Sequence, residues 1–236
     1  MRRVLVLQHH GCETPGLIGD ALARASIGTT PLLLGDAAAA IPEMRGFDGL
    51  LVLGGPFSVY HDERYPFLRA EMRLIEGALK LGKPVLGVCL GSQMLAQVLG
   101  GPVRPAAQPE IGWLSIRLEP AAREDRLFGD LPQEFVACVW HGDVFDLPAG
   151  AVSLARSELT ECQAYRFGGN VYGLLFHLEM RADMVAACVG SFEPRLQAAG
   201  IAPADCIAEA AQHLSRLAPL AAQAFDRWAS LVRAAP

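Results

Sequence analysis

The sequence lacks the segments that would direct the chain to a membrane, a nucleic acid or the secretory pathway. No apolar run approaches the roughly 20 residues that a membrane-spanning helix needs. The net charge is −5 and no basic cluster is present, which argues against a nucleic-acid or membrane partner. The apolar run near the N-terminus is too short for a signal peptide. We therefore expect a cytoplasmic protein.

The six cysteines form neither a disulfide framework nor a metal-binding pattern. No two of them are spaced as C-x-x-C, and no set has the spacing of a zinc site. The chain has 236 residues, of which 52% are hydrophobic, so it can build a substantial core without disulfide bonds. We expect reduced thiols, no metal centre, and a chemical role for one or two cysteines at most.

Strand and helix patterns alternate through the first hundred residues. Short apolar runs are typical of strands buried on both faces, and segments with helical spacing separate them. The apolar runs cover Arg3–Gln8, Pro31–Leu34, Gly49–Leu53 and Pro84–Val88, and the helical segments cover Gly16–Ala25, Tyr65–Leu81 and Ser92–Leu99. This order predicts a three-layer α/β fold, with helices on both faces of an open, mostly parallel sheet.

The pattern changes after Gly101, where the strands alternate more and have fewer helices between them. The predicted strands are Trp113–Leu118, Glu134–Trp140, Ala151–Ala155, Gln163–Arg166 and Val171–Phe176. The turn residues FGGN lie between the last two of these strands and predict a hairpin.

From Arg181 onward the sequence is helical and rich in alanine. It predicts helices at Ala182–Gly190 and Pro203–Leu217, and we expect Pro219 to end the second before a third begins. We therefore divide the chain into an α/β domain at residues 1–181 and a helical extension at 182–236. Packing of the extension on the domain is the simpler expectation, and a surface for a homo-oligomer or another partner is the alternative.

The stretch GVCLG, from Gly87 to Gly91, reads G-x-C-x-G between a predicted strand and a predicted helix. In the analogous G-x-S-x-G motif the nucleophile lies on a strained strand-to-helix turn. The N-terminus of the helix would favour a thiolate at Cys89 and a developing oxyanion. A free cysteine is more commonly a small buried filler, and the motif alone leaves both interpretations open.

A histidine and a glutamate follow the last strand-like run, in the stretch FHLE. Residues two apart in an extended segment point to the same side, so the Glu179 carboxylate could orient the His177 imidazole. Both could instead be surface residues. Together with Cys89 they supply a nucleophile, a base and an orienting group, each of which needs the next.

Other polar residues give weaker signals. The loop LGGP follows a buried strand, at the sheet edge where ligands of open α/β sheets bind. An N–H from that loop could complete an oxyanion hole with the N–H of Leu90, although an ordinary turn is the alternative. We expect His9, His10 and His61 to be solvated or to structure loops, and His213 to lie on the surface.

Over roughly residues 1–181 the chain resembles the class I (triad) glutamine amidotransferase family. The motifs that carry the resemblance are GVCLGSQMLAQVLGG, LGGP, FHLE, EIGW at Glu110–Trp113 and HGD at His141–Asp143. The chain is similar to stand-alone members related to the amidotransferase domain of GMP synthetase. The resemblance implies a flavodoxin-like fold.

The resemblance also implies roles for particular residues. It implies a catalytic triad of Cys89, His177 and Glu179, and backbone oxyanion donors at Gly55 and Leu90. It implies that the α-amino and α-carboxylate groups of glutamine lie near Gln93, His141, Gly142 and Asp143.

The chain departs from the family pattern at two positions. The family usually has F-H-P-E, and Leu178 replaces that proline here. Leucine keeps the spacing, so we expect the triad to survive. Trp140 precedes His141, which puts in doubt any side-chain contact that the family makes from that position.

The implied reaction is hydrolysis of the glutamine γ-amide through a cysteine γ-glutamyl thioester, with release of ammonia. This half-reaction needs no metal or organic cofactor. The stretch after Arg181 contains no phosphate-binding loop, so either a separate synthetase subunit receives the ammonia or none does. Two alternatives stay open: a γ-glutamyl peptide hydrolase with the same triad, and a catalytically silent binding module.

Overall fold

The computed structural model describes residues 1–34 and 41–235. Within these ranges it contains a nine-stranded sheet and five α-helices. The strands are β1 Arg3–Gln8, β2 Gly28–Leu33, β3 Gly49–Val52, β4 Val85–Val88, β5 Val103–Leu118, β6 Glu134–Phe145, β7 Ala151–Arg156, β8 Ala164–Phe167 and β9 Val171–Leu174. The helices are α1 Gly16–Arg24, α2 Phe67–Lys80, α3 Leu90–Val98, α4 Ala182–Ala198 and α5 Pro203–Ala234.

The sheet has the order β2-β1-β3-β4-β9-β8-β7-β5-β6. Pairing is parallel from β2 to β9 and antiparallel from β9 to β6, and the predicted hairpin is formed by β8 and β9. The expected open α/β sheet with helices on both faces is confirmed. The change of pairing matches the alternating pattern of the later strands, because antiparallel strands can leave one face to solvent.

Alternate residues of the parallel strands face two separate cores. Val4 and Val6 of β1 pack with residues of α1 and α5, whereas Leu5 and Leu7 pack with residues of α2 and α3. This period of two places one helical layer on each side of the sheet. The apolar face of α5, including Trp228, belongs to the first of these cores, so the C-terminal helix packs directly on the α/β unit.

The C-terminal helices differ from the sequence-based expectation. Pro219 does not end a helix, because α5 continues through it to Ala234. Pro219 and Ser215, the residue four positions earlier, are both exposed, so solvent can satisfy the carbonyl that loses its partner. Packing of the apolar face holds the helix together despite the proline. His213 was expected on the surface, but it is half-buried and stacks on Trp113.

The carboxyl ends of β1, β3, β4 and β9 meet at one edge of the sheet, because these strands are parallel neighbours. The segments that leave this edge are residues 9–13, 54–56, 89 and 175–179. They include the GVCLG, LGGP and FHLE motifs. In the described ranges no helix is long and apolar enough to cross a membrane.

Candidate active site

Cys89 lies between β4 and α3 in a backbone conformation that L-residues rarely adopt, with φ +50° and ψ −110°. Close contacts on both sides explain the flanking glycines. A Cβ at Gly87 would overlap the backbone of Gly91, and a Cβ at Gly91 would overlap the carbonyl of Val52. The G-x-C-x-G spacing is therefore a steric requirement of this turn, and the strain is stored at the proposed nucleophile.

His177 and Glu179 are buried beside the Cys89 thiol. The Nδ1 atom of His177 lies 2.6 Å from Oε1 of Glu179, and the His177 backbone N–H donates to the Cys138 carbonyl at 2.8 Å. Burial disfavours the imidazolium, but the Glu179 carboxylate and a hydrogen bond with Cys89 outweigh it and raise the pKa of His177 well above its ordinary value. The structure therefore brings the three residues into one chain of interactions.

Gly55 and Leu90, the expected oxyanion donors, lie side by side. A Cβ at Gly55 would be 2.8 Å from Cδ2 of Leu90 and 2.7 Å from Cβ of His9, so only glycine fits there. Leu90 is the first residue of α3, and its N–H has no acceptor within the helix. Gly55 also lines the cavities next to Cys89.

A buried ion pair that the sequence analysis did not predict braces this loop. His9 places Nδ1 2.9 Å from the Gly54 carbonyl oxygen and Nε2 2.8 Å from Oε2 of Glu71. Both neighbours are acceptors, which suits an imidazolium that donates from both nitrogens. Burial lowers the pKa of His9, but Glu71 and the Gly54 carbonyl reverse the shift and raise it. His9 is therefore buried rather than solvated, and it structures the loop.

A cavity of about 280 Å³ opens on one side of Cys89. The four residues expected to bind the ends of glutamine line it: Gln93, His141, Gly142 and Asp143. Gln93 Nε2 donates to the Asp143 carbonyl at 3.0 Å. The Asp143 carboxylate accepts from Ser58 Oγ at 2.6 Å and from Tyr60 OH at 2.8 Å. The cavity wall is thus fixed by hydrogen bonds between α3, the loop after β3 and β6.

His141 belongs to a buried polar network behind this cavity. Its Nε2 lies 3.1 Å from Gln163 Nε2, which also donates to Glu110. Burial lowers the pKa of His141 to about 4, although Glu110 opposes that shift. A neutral imidazole accepts from Gln163 at Nε2 and carries its proton on Nδ1. Glu110, the glutamate of the EIGW motif, is therefore linked through Gln163 to His141 of the HGD segment.

A smaller cavity of about 30 Å³ also borders Cys89. It is lined by His177 and by residues that the sequence motifs did not indicate, which are Glu13, Met180, Cys188 and Phe192. Arg195 and Trp140 line both cavities. Arg195 donates to the Pro56 carbonyl at 2.8 Å, so α4 is tied to the LGGP loop at the mouth of the site.

Metal ligation has no support in the part of the chain that the structure describes, because no group of three or more His, Cys, Asp or Glu side chains is placed to hold an ion there. Near Cys89, His177 is instead paired with Glu179, Gln93 with a backbone carbonyl, and Asp143 with Ser58. The arrangement can activate a thiol, stabilise an oxyanion and transfer a proton through His177.

Comparison with known proteins agrees with this geometry. The profile of the family described as Glutamine amidotransferase class-I matches residues 29–184. The chain is 34% identical over 151 residues to the glutamine amidotransferase-like protein YfeJ of Salmonella typhimurium. It is 36% identical over 135 residues to a glutamine-hydrolyzing GMP synthase of Bacillus mycoides. These matches cover 63% and 56% of this chain.

The solved structures that match nearly the whole chain include two glutamine amidotransferases. The first is a glutamine amidotransferase from Thermotoga maritima, with a TM-score of 0.88, 30% identity, and coverage of 97% of this chain and 98% of that one. The second is a glutamine amidotransferase from Methylobacillus flagellatus, with a TM-score of 0.86, 31% identity, and coverage of 98% and 95%.

The chain matches only part of its curated relatives, since it spans 63% of the length of YfeJ and 24% of that GMP synthase. The family profile nevertheless covers most of the chain, and the solved structures extend the likeness over its C-terminal helices. The resemblance in the sequence motifs is thereby confirmed, and the chain belongs to the class I glutamine amidotransferase family.

Proposed function

We propose that the protein hydrolyses the γ-amide of glutamine through a γ-glutamyl thioester on Cys89, and so releases ammonia. The observation that carries this proposal is the strained Cys89 turn with the buried His177–Glu179 pair beside it. The flanking cavity of about 280 Å³ has room for the amino-acid end of glutamine. Membership of the family supports an activity on glutamine amides in general.

The steps follow from the positions of the groups. The Cys89 thiolate attacks the γ-carbonyl carbon, and the N–H groups of Gly55 and Leu90 stabilise the oxyanion, each by about 3 kcal/mol in comparable sites. His177 gives a proton to the amide nitrogen, the C–N bond breaks, and ammonia leaves. His177 then takes a proton from water, which attacks the thioester and releases glutamate and the free thiol. Glu179 holds the imidazole throughout.

In the larger cavity we assign the α-amino and α-carboxylate groups of glutamine to the wall formed by Gln93 and the segment His141, Gly142 and Asp143. Gln93 and the Asp143 carboxylate are already engaged within the protein. Backbone groups of this wall therefore carry much of the recognition, with the Asp143 carboxylate as the anionic partner for an ammonium group.

We also propose that residues 1–181 carry the chemistry and that 182–236 complete the site as a packed extension, since Phe192 and Arg195 of α4 reach the cavities. Similarity to a GMP synthase supports a synthetase as the acceptor of the ammonia, and we propose that this synthetase is a separate chain.

The test is a glutaminase assay in which glutamate and ammonia are measured for the wild type and Cys89→Ala. We expect release by the wild type, labelling of its thiol by a glutamine-like electrophile, and loss of both in the variant. Cys206→Ala is the matched control, because that cysteine is buried in α5 and lines neither cavity. Unchanged turnover in Cys89→Ala would refute the mechanism, and a Cys89 with ordinary thiol reactivity would support a silent binding module.

A further inference from the structure

Two cavities share Cys89, but they differ in the groups that line them. Gln93, His141 and Asp143 line only the larger cavity, whereas His177 lines only the smaller one. If the amino-acid end of glutamine occupies the larger cavity, the γ-carboxamide reaches Cys89 from that side. Its nitrogen must then face the acid that protonates it, so the leaving group points into the smaller cavity.

Glu13 is a buried carboxyl group on the wall of that smaller cavity. It follows β1, and its Oε1 lies against the backbone of Gly54, where a Cβ would be only 2.6 Å away. Its Oε2 is buried with no hydrogen-bond partner among the described residues. A buried acceptor without a donor costs free energy, so its presence next to the reaction centre needs a reason.

We propose that Glu13 is the binding residue for the departing nitrogen, and that the small cavity is a leaving-group site for ammonia. The unpartnered Oε2 accepts an N–H of the γ-carboxamide, while His177 donates a proton to the lone pair of that nitrogen. Glu13 gains and loses no proton in the step, because the proton that ammonia needs comes from His177. This inference rests on the proposed function.

The size of the cavity selects the leaving group. The centre of a water-sized molecule can occupy about 30 Å³ in this cavity, which exceeds the roughly 10–15 Å³ that one water needs, so ammonia has room there. The amine of a γ-glutamyl peptide is several times larger and would have to extend past Phe192 and Arg195 of α4. A primary amide also has two N–H groups, so one remains for Glu13. The site therefore favours glutamine over γ-glutamyl peptides.

The charged surroundings of Glu13 are consistent with this role. Burial raises the pKa of Glu13 to about 7, and the neighbouring His177, His9 and His10 oppose that rise. Cys12, from the same loop, adds to it. From α4, Cys188 and Arg195 line the same cavity. The carboxylate is thus available as an acceptor near neutral pH and above.

The test compares glutamine with the γ-methyl ester of glutamate, whose leaving oxygen carries no N–H. We expect Glu13→Gln to lower kcat/KM for glutamine by about tenfold, because the neutral amide oxygen is a weaker acceptor than the carboxylate. The ester should be hydrolysed as fast as by the wild type. The matched control is Glu158→Gln, an exposed glutamate outside both cavities, which should change neither substrate.

The outcomes separate the two proposals. If the wild type hydrolyses neither substrate, the proposed function fails. If the wild type hydrolyses both, and Glu13→Gln slows both equally or neither, the role of Glu13 is overturned while the function stands. A wild type that prefers γ-glutamyl peptides to glutamine overturns the size argument.

A second variant tests the cavity without touching Glu13. Phe192 forms part of its wall from the kinked segment of α4. We expect Phe192→Ala to enlarge the cavity and to raise kcat/KM for γ-glutamyl methylamide relative to glutamine by about tenfold. The γ-methyl ester has a leaving group of the same size, so its kcat/KM should rise relative to glutamine in the same direction. No change in that ratio would contradict a leaving-group site at this position.

Discussion

Replacing Glu13 by glutamine is expected to stabilise the fold, and to do so more strongly at high pH. Burial raises the pKa of Glu13 from an ordinary value of 4.5 to about 7 in the folded protein. The folded state therefore holds this proton more tightly than the unfolded state. The resulting stabilisation is fully present below the unfolded pKa, and it is lost as the pH rises through the folded pKa.

The size of the effect follows from the interval between the two pKa values. At pH 8 the ionised Glu13 lowers the free energy of unfolding by about 3 kcal/mol, and at pH 5 by about 1 kcal/mol. Glutamine has nearly the same shape and carries no charge at either pH. The stability advantage of Glu13→Gln should therefore grow by about 2 kcal/mol between pH 5 and pH 8.

Urea denaturation at both pH values measures this difference for the wild type, Glu13→Gln and the exposed control Glu158→Gln. Histidines that do not interact with Glu13 contribute equally in every variant and cancel, whereas His9, His10 and His177 feel its charge and contribute to the measured difference. An advantage of equal size at both pH values would refute the assigned cause, and a variant less stable than the wild type at pH 8 would refute the sign. A more stable but less active variant is typical of a strained active site.

Three further substitutions test the elements around Cys89. Cys89→Gly should be about 1 kcal/mol more stable to urea than Cys89→Ala, because glycine relieves the positive φ that alanine keeps. Glu71→Ala should lower the free energy of unfolding by about 3 to 5 kcal/mol, because it leaves the buried His9 without its partner. Gly91→Ala would push a Cβ into the Val52 carbonyl and so displace the Cys89 turn. We expect this variant to lose labelling of the Cys89 thiol while it keeps its helical circular-dichroism signal.

The local pattern of apolar residues was sufficient to predict the parallel strands and the helices that separate them. Strands β3 and β4 are buried along their whole length, so each reads as a short apolar run, and the helix between them, α2, has a clear apolar face. The prediction that Pro219 ends a helix was wrong, because a proline ends a helix only where no tertiary packing outweighs its local cost. In α5 the burial of Trp228 and its neighbours stabilises the helix enough to continue through the proline.

The sequence predicted those residues of the candidate site whose role depends on their spacing along the chain. The glycines around Cys89 and the interval between His177 and Glu179 can be read directly from the amino-acid sequence. Glu13 and Phe192 were missed, because only the fold brings the loop after β1 and helix α4 to the cavity beside Cys89. Glu71 did leave a signal, since it is a carboxylate on the buried face of α2, where only a charged partner could compensate it.

The loop after β1 joins the two halves of the proposed reaction. His9 holds the Gly54 carbonyl, next to the proposed oxyanion donor Gly55, and Glu13 lies against the same Gly54 on the side of the proposed leaving-group site. Glu71 lines neither cavity and acts only through His9. A substitution at Glu71 should therefore slow ester and amide hydrolysis alike, because both need the oxyanion hole. Glu13→Gln should separate them, because only the amide has an N–H to offer.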